Sequence, residues 1–164
     1  MPLRLLDANV FIQAKNSYYS FDLVPAFWSW LHLQANAGAL ASIDLVYTEL
    51  KDGSDELAQW VKGRRQAIFH VGSSSPVVAG HIASLYTWAQ GEGYKPHTIR
   101  DFMASSDPFL VGAAASLGAM VVTQETPAGN SRKKVKIPDA CKYLGVSWEN
   151  TFEMMLSLGA QFTL

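Results

Sequence analysis

The sequence predicts a three-layer α/β/α architecture with a short central parallel sheet, in which residues 1–164 form a single domain. Helical apolar patterns alternate along the chain with a few short apolar runs, which is typical of a parallel sheet connected by helices. A hydrophobic fraction of 49% with 16% charged residues excludes disordered and fibrous classes. A chain of 164 residues can bury a core without disulfides, and a second domain would have little room.

The first third of the chain is predicted to contain one strand and three helices. The opening apolar run ends at Asp7, which is typical of a buried strand that delivers a carboxylate to a sheet edge. The first helix has Pro25 in its first turn and Gly38 as its stop, and Ser54 is the expected N-cap of the third. In order, the elements are a strand at 3–6 and helices at 23–37, 44–50 and 54–61.

The middle of the chain is predicted to contain a second strand and two helices. An apolar run closed by Gly72 and three serines favours the strand, and Gly91 ends the longer helix. These elements are a strand at 67–71 and helices at 76–90 and 98–103.

The last third begins with the strongest helix start in the sequence, Ser105-Ser106-Asp107-Pro108, in which Asp107 is expected to cap the free amides. Gly118 stops that helix, and a β-branched apolar run then favours a buried strand that ends at Thr123. The elements are a helix at 108–117, a strand at 119–123, an irregular strand at 132–137, and helices at 138–144 and 150–158.

Charge and cysteine content limit the possible partners and environment. With 13 lysine and arginine residues against 14 acids, the net charge is −1, so any nucleic-acid contact must come from a local patch. Cys141 is the only cysteine, so we expect a reducing, cytoplasmic environment. Because Asp7 interrupts the first apolar run and no apolar stretch approaches about 18 residues, we expect no export and no membrane partner.

Four acids are predicted to meet in one cleft. Asp7 and Glu125 follow strands that would end at the same sheet edge, Asp107 begins the helix that leads into the later strand, and Glu49 ends a helix able to lean over that edge. Such carboxylates repel one another unless a cation neutralises them, and oxygen ligands select Mg²⁺ or Mn²⁺. Taken singly, Asp107 is more often a helix cap, and Glu49 and Glu125 are more often solvated. Asp7 differs, because an acid beside a buried strand is desolvated.

The motifs around these acids resemble the PIN-domain ribonucleases, in the order that the family has them and over most of the chain. They are Leu5-Leu6-Asp7-Ala8-Asn9-Val10, Val46-Tyr47-Thr48-Glu49-Leu50, Ser106-Asp107-Pro108-Phe109-Leu110-Val111-Gly112-Ala113-Ala114 and Val121-Val122-Thr123-Gln124-Glu125. Two further segments resemble an uncharacterised bacterial subgroup of PIN-like proteins related to VapC toxins: Lys136-Ile137-Pro138-Asp139-Ala140-Cys141 and the helix that contains Phe27, Trp28 and Trp30.

The resemblance implies a metal-dependent endoribonuclease that leaves a 5′-phosphate and a 3′-hydroxyl. Its catalytic acids and metal ligands would be Asp7, Glu49, Asp107 and Glu125, holding one or two Mg²⁺ or Mn²⁺ ions. Asn9 and Thr123 would orient the ligands. The family usually has aspartate where this chain has Glu125, so Asp139 could supply or share the last acidic position, although a charge at the N-terminus of a helix is the more common explanation.

Substrate and partner contacts are predicted from the surface residues. The basic run Arg132, Lys133, Lys134 and Lys136 either grips RNA phosphates or is a solvated loop. A VapC-like toxin implies a protein antitoxin and a homodimer, for which Tyr18 or Trp28 would suit an exposed contact.

The alternative function is a catalytically inactive PIN-like module that acts through protein or RNA contacts. Glu125 in place of aspartate is a possible first step towards such a loss, whereas retention of the other acids argues against it. Receiver-type phosphoacceptors and haloacid-dehalogenase phosphatases fit less well, because Asn9 stands where a second acid is needed.

Overall fold

The computed structural model describes residues 2–164, and its centre is a four-stranded parallel sheet in the order β2-β1-β3-β4. The strands are short: β1 Arg4–Leu6, β2 Leu40–Ala41, β3 Met120–Val122 and β4 Trp148–Glu149. β1 pairs with β3 in parallel so that Leu6 stands opposite Val122. Both of these central strands are almost wholly buried, which is why they appear in the sequence as continuous apolar runs.

Helices connect and cover the strands. They are α1 Ala8–Asn16, α2 Pro25–Asn36, α3 Asp44–Lys51, α4 Glu56–Lys62, α5 Arg65–Ile68, α6 Pro76–Gly91, α7 Pro96–Ala104, α8 Asp107–Leu117, α9 Ile137–Leu144 and α10 Thr151–Ser157. One group, α6 to α9, packs together, with α8 against β3, while α1 packs on α3 and α4, and α2 packs on α5 and β2. The predicted α/β class with a central parallel sheet flanked by helices is therefore confirmed.

Aromatic side chains fill the core on the side of α1 and α2. The Phe11 and Phe69 rings lie 5.5 Å apart, and Trp28 is 2% exposed and stacks on Phe21. The Trp28 indole N–H donates to the Tyr19 carbonyl oxygen at 2.8 Å. The prediction that Trp28 could serve an exposed contact is therefore wrong, because its apolar body and its one polar group are both satisfied inside the fold.

Two predicted strands are absent from the described residues. Residues 65–68 form α5, and Val71 makes only an isolated parallel bridge with Ile43. The run around Ile68 is buried as predicted, but a short apolar run does not distinguish a strand from a helical turn. Residues 132–136 are irregular, held by the buried Val135.

Several elements were not predicted from the sequence, or begin at a residue other than the predicted one. The helix α1 starts directly after Asp7, and β2 and β4 are too short to show an apolar run. Asp55, not Ser54, caps α4 by accepting a hydrogen bond from the Ala58 N–H. Among residues 2–164 no helix is both long and apolar enough to span a bilayer.

Candidate functional site

Asp7 and Thr123 meet at the carboxyl edge of the two central strands. Since Leu6 and Val122 are paired, the residues that follow them are neighbours, and the Asp7 N–H donates to the Val122 carbonyl at 2.9 Å. The Thr123 hydroxyl donates to Asp7 Oδ2 at 3.1 Å and accepts from the Glu125 N–H at 3.1 Å. Thr123 therefore fixes the Asp7 carboxyl, the orienting position predicted for it.

Asp107 reaches this edge from the start of α8. Its expected capping role is wrong: Ser106 is the N-cap residue, without a side-chain cap hydrogen bond, and Asp107 is the first residue of the helix. The Ser105 hydroxyl oxygen instead accepts from the Asp107 N–H at 3.2 Å. The Asp107 carboxyl is thus free of the helix amides and belongs to the cleft.

A cavity of about 230 Å³ joins these acids to α1, α3, α7 and the basic loop. Its lining includes Asp7, Asn9, Glu49, Asp107, Lys133 and Lys134, together with Thr98, Asp101, Phe102, Ser105 and Ser106. Glu49 is exposed, and its Oε2 accepts from the Ser106 hydroxyl at 3.2 Å, which ties α3 to the start of α8. We name this cavity the acidic cleft.

The two inner acids of the acidic cleft are held in an environment that disfavours their charge. Asp7 is 2% exposed, and burial, then the charges of Asp107 and Glu125, raise its pKa to about 7. Burial, with Glu125 and Glu49 nearby, raises the pKa of Asp107 to about 6. Buried like charges of this kind are typical of a site that takes a cation.

Glu125 is close enough to raise both pKa values, but its own carboxylate is bound within the chain. Lys134 Nζ lies 2.7 Å from Glu125 Oε2, and the Ile137 N–H donates to Oε1 at 2.9 Å. The lysine also faces Asp7 and Asp107, and with Glu125 these charges raise its pKa. Lys134 is therefore an exposed cation, tethered by Glu125, at the wall of the acidic cleft.

The donor set fits a hard divalent ion bound by few protein ligands. Among the described residues, no group of three or more histidine, cysteine, aspartate or glutamate side chains is arranged to hold a metal. Mg²⁺ commonly uses one or two carboxylates and keeps several waters, and Asp7 and Asp107 offer such carboxylates. Glu49 and Glu125 would have to leave the Ser106 and Lys134 partners to join them.

The remaining predicted residues separate into those near the acidic cleft and those elsewhere. Lys133 and Lys134 line it, and Lys136 is the half-buried N-cap residue of α9. Arg132 turns away, donating to the carbonyls of Glu92 and Gly129. Asp139 Oδ2 accepts from the Ala128 N–H at 3.0 Å, so this acid stabilises the loop after β3.

Sequence reasoning missed the contribution of α7. Thr98 and Phe102 are buried beside the acids, and Asp101 lines the acidic cleft while remaining exposed. The only available signal was the position of α7 just before the Ser105–Pro108 helix start, since the residues themselves form no motif.

Comparison with known proteins identifies the family and the fold. The chain belongs to the family described as Domain of unknown function (DUF4411), whose model matches residues 5–162. No curated protein matches the chain. A solved structure of similar fold is the crystal structure of VapBC2 from Rickettsia felis bound to a DNA fragment from their promoter, matched with a TM-score of 0.58 and 14% identity over 90% of this chain and 98% of that one. The fold is thus PIN-like, as the sequence motifs predicted.

Proposed function

We propose that this protein is a Mg²⁺- or Mn²⁺-dependent endoribonuclease that hydrolyses RNA phosphodiesters. The observation that carries the proposal is a pair of neighbouring acids, the buried Asp7 and the half-buried Asp107, whose pKa values are raised to about 7 and about 6 in a cleft flanked by lysines. Buried carboxyls in such surroundings are stabilised by a divalent cation, and adjacent lysines provide the complement to phosphate. The similarity of fold to a VapBC2 chain agrees with this assignment.

Each side chain then has a defined task. Asp7 and Asp107 would hold the metal, and Thr123 keeps the Asp7 carboxyl aligned. When bound, the ion supplies positive charge that acidifies a water nucleophile and offsets charge at phosphorus. Lys133 and Lys134 would bind the phosphate oxygens, and Asn9, half-buried in the same cleft, is placed to hold the substrate or a ligand water.

The test is cleavage of a mixed pool of structured RNAs by the purified protein in Mn²⁺, Mg²⁺ or EDTA. We expect metal-dependent cutting that falls by at least about a hundredfold in Asp107→Asn, since removal of a direct ligand should exceed the 10- to 100-fold effects of residues that merely support ligands. Asp101→Asn is the matched control, because Asp101 is an exposed acid of the same cleft. Cutting that survives in EDTA or in Asp107→Asn would contradict the proposal.

We further propose that the nuclease is the VapC-like toxin of a toxin-antitoxin pair and acts in the cytoplasm. The support is the similarity to a chain of VapBC2 and an apolar surface on α10, where Phe152 and Leu156 are 58% and 80% exposed. The partner would be a DNA-binding protein encoded by a small reading frame next to the gene for this chain. Co-purification of the two, with loss of RNA cleavage in the complex, is the expected result, and free cleavage in the complex would contradict it. The homodimer stays a prediction.

The second candidate is an inactive PIN-like binding module. The specific observation that favours it is the engagement of both Glu125 oxygens by Lys134 and the Ile137 N–H, which withdraws one predicted ligand. Such a module would bind RNA or protein with no change in melting temperature on addition of Mn²⁺.

A further inference from the structure

A second cavity, separate from the acidic cleft, is lined by aromatic rings of α6, of α9 and of the turn after α6. It has a volume of about 290 Å³. Trp88 and Tyr143 are stacked with ring centroids 5.5 Å apart, and Tyr94 meets Trp88 edge-on at 6.3 Å. Tyr143 keeps 47% of its surface exposed, whereas Tyr94 is 8% exposed. We name this the aromatic cavity; it offers the exposed Tyr143 ring, which is stacked on the half-buried Trp88.

The charges at the aromatic cavity cancel. Its lining includes two cations, Arg132 and Lys142, and two acids, Glu92 and Asp139. Arg132 lies with its guanidinium 5.2 Å from the Tyr94 ring centre and 3.9 Å from the Glu92 carboxylate. A neutral, aromatic lining with both donors and acceptors suits a planar heterocycle rather than a phosphate, and the cation position over Tyr94 is already taken by Arg132.

The aromatic cavity adjoins the acidic cleft along one stretch of loop. Gly129 and Arg132 line the aromatic cavity, and the next residues, Lys133 and Lys134, line the acidic cleft. Arg132 and Lys133 are adjacent in the chain, with Cα atoms about 3.8 Å apart, so we expect an RNA strand whose phosphate binds these lysines to place a neighbouring nucleotide at the aromatic cavity. Stacking on them requires an unpaired base, because a base inside a duplex has no free face.

We propose that the aromatic cavity is a nucleobase subsite that stacks one unpaired base of the RNA next to the scissile phosphate, so that the substrate is single-stranded at this position. The inference rests on the proposed nuclease function. It adds to the phosphate contacts of Lys133 and Lys134 a selection for unpaired RNA by Tyr143 and Trp88. Arg132 then acts in base binding and not in phosphate binding.

The test measures binding of a short labelled single-stranded RNA to the full chain in EDTA, by fluorescence anisotropy. Tyr143→Ala should weaken binding by about five- to a hundredfold, as loss of one stacked base does elsewhere. Tyr143→Phe keeps the ring and should bind like the wild type. Tyr86→Ala is the matched control, because Tyr86 is similarly exposed at 45% and lies on α6 outside the aromatic cavity.

A second measurement keeps the result independent of any loss of folding in the alanine variant. RNAs carrying one abasic nucleotide at successive positions are compared with the wild-type chain and with Tyr143→Ala. One abasic position should weaken wild-type binding as much as Tyr143→Ala does, with no further loss when the two changes are combined. A perfectly paired duplex should bind wild type and Tyr143→Ala alike.

The outcomes separate this subsite from the nuclease proposal. Binding by Tyr143→Ala within twofold of wild type, with metal-dependent cleavage intact, overturns the subsite and leaves the nuclease standing. Tyr143-dependent binding without cleavage in Mn²⁺ supports the subsite and contradicts the nuclease. Neither binding nor cleavage of any RNA overturns both.

Discussion

A buried ionisable residue lies at each end of β1, and the charges that surround the two residues differ. Arg4 is 4% exposed and forms an ion pair with Glu149 of β4, whereas Asp7 is 2% exposed and faces Asp107 and Glu125. The first charge has its counter-ion inside the sheet. The second has neighbours of its own sign, and burial together with those neighbours raises its pKa to about 7. The Arg4 charge has its counter-ion within the fold, whereas Asp7 has none there, and on the proposed function an external cation would supply it.

The largest effect on stability is expected at the Arg4 end of β1, where the buried charge is paired with Glu149. Arg4→Met should lower the free energy of unfolding by about 3–5 kcal/mol, because it leaves Glu149 buried without its partner. Urea unfolding measures this loss. The double variant Arg4→Met, Glu149→Leu should recover most of it, and a double variant as unstable as the single one would contradict the assigned partnership.

At the Asp7 end of β1, removing the charge is expected to stabilise the fold, the opposite of the effect at Arg4. Asp7→Asn should raise the free energy of unfolding in EDTA at pH 8 by about 2–4 kcal/mol, since a tenfold change in proton affinity corresponds to about 1.4 kcal/mol. The folded pKa of about 7 lies above the unfolded value of 3.8, so the folded state holds the extra proton between these values. Stability of the wild type should therefore fall as pH rises from about 4 to about 7.

Urea unfolding at several pH values in EDTA checks this sign. The decline should shrink in Asp7→Asn, and saturating Mn²⁺ should reverse it in the wild type by favouring the ionised carboxyl. A wild-type stability that rises over this pH range without metal would contradict the pKa assigned to Asp7.

The hydroxyl that orients Asp7 should matter less than the carboxyl itself. Thr123→Val removes the donor to Asp7 Oδ2 and the acceptor of the Glu125 N–H with little change in shape. Affinity for Mn²⁺ should fall about 10- to 100-fold, as for other groups that support a metal ligand. Isothermal titration calorimetry measures it, and Thr123→Ser should retain most of the affinity. Equal affinity in Thr123→Val would show that Asp7 needs no such support.

The smallest effect is expected from a change in Mn²⁺ affinity when Lys134 is substituted. Lys134→Met removes the ammonium that pairs with Glu125, so Glu125 becomes available and the acids lose a competitor for the metal. Affinity for Mn²⁺ should rise severalfold, since an ion pair whose lysine is 54% exposed contributes only about 1 kcal/mol or less. Lys133→Met is the control in the same cleft, and a fall in Mn²⁺ affinity in Lys134→Met would contradict competition.

Residues next to strands could be placed from the sequence. The runs ending at Asp7 and Thr123 identified neighbouring parallel strands, and adjacency of their ends follows from parallel pairing alone. Residues placed by packing could not: whether Ile68 lies in a strand or a helical turn depends on the tertiary contacts around it. The partnership of Glu125 with Lys134 likewise depends on the path of an irregular loop.

The same limit applies to the helices around the acidic cleft. The sequence predicts Asp107 as a helix cap because the Ser-Asp-Pro pattern allows either Ser106 or Asp107 to precede the helix. The proximity of α7 to the acids comes from its packing against α6 and α8, a contact no short motif encodes.

Mn²⁺ titration of melting temperature at pH 7.5, with wild type and Asp7→Asn side by side, tests the central claim most directly. We expect the melting temperature of the wild type to keep rising with Mn²⁺ concentration, and that of Asp7→Asn to rise little or not at all. A wild type that Mn²⁺ does not stabilise, or an equal rise in both proteins, would contradict the proposal that Asp7 and Asp107 form a metal site.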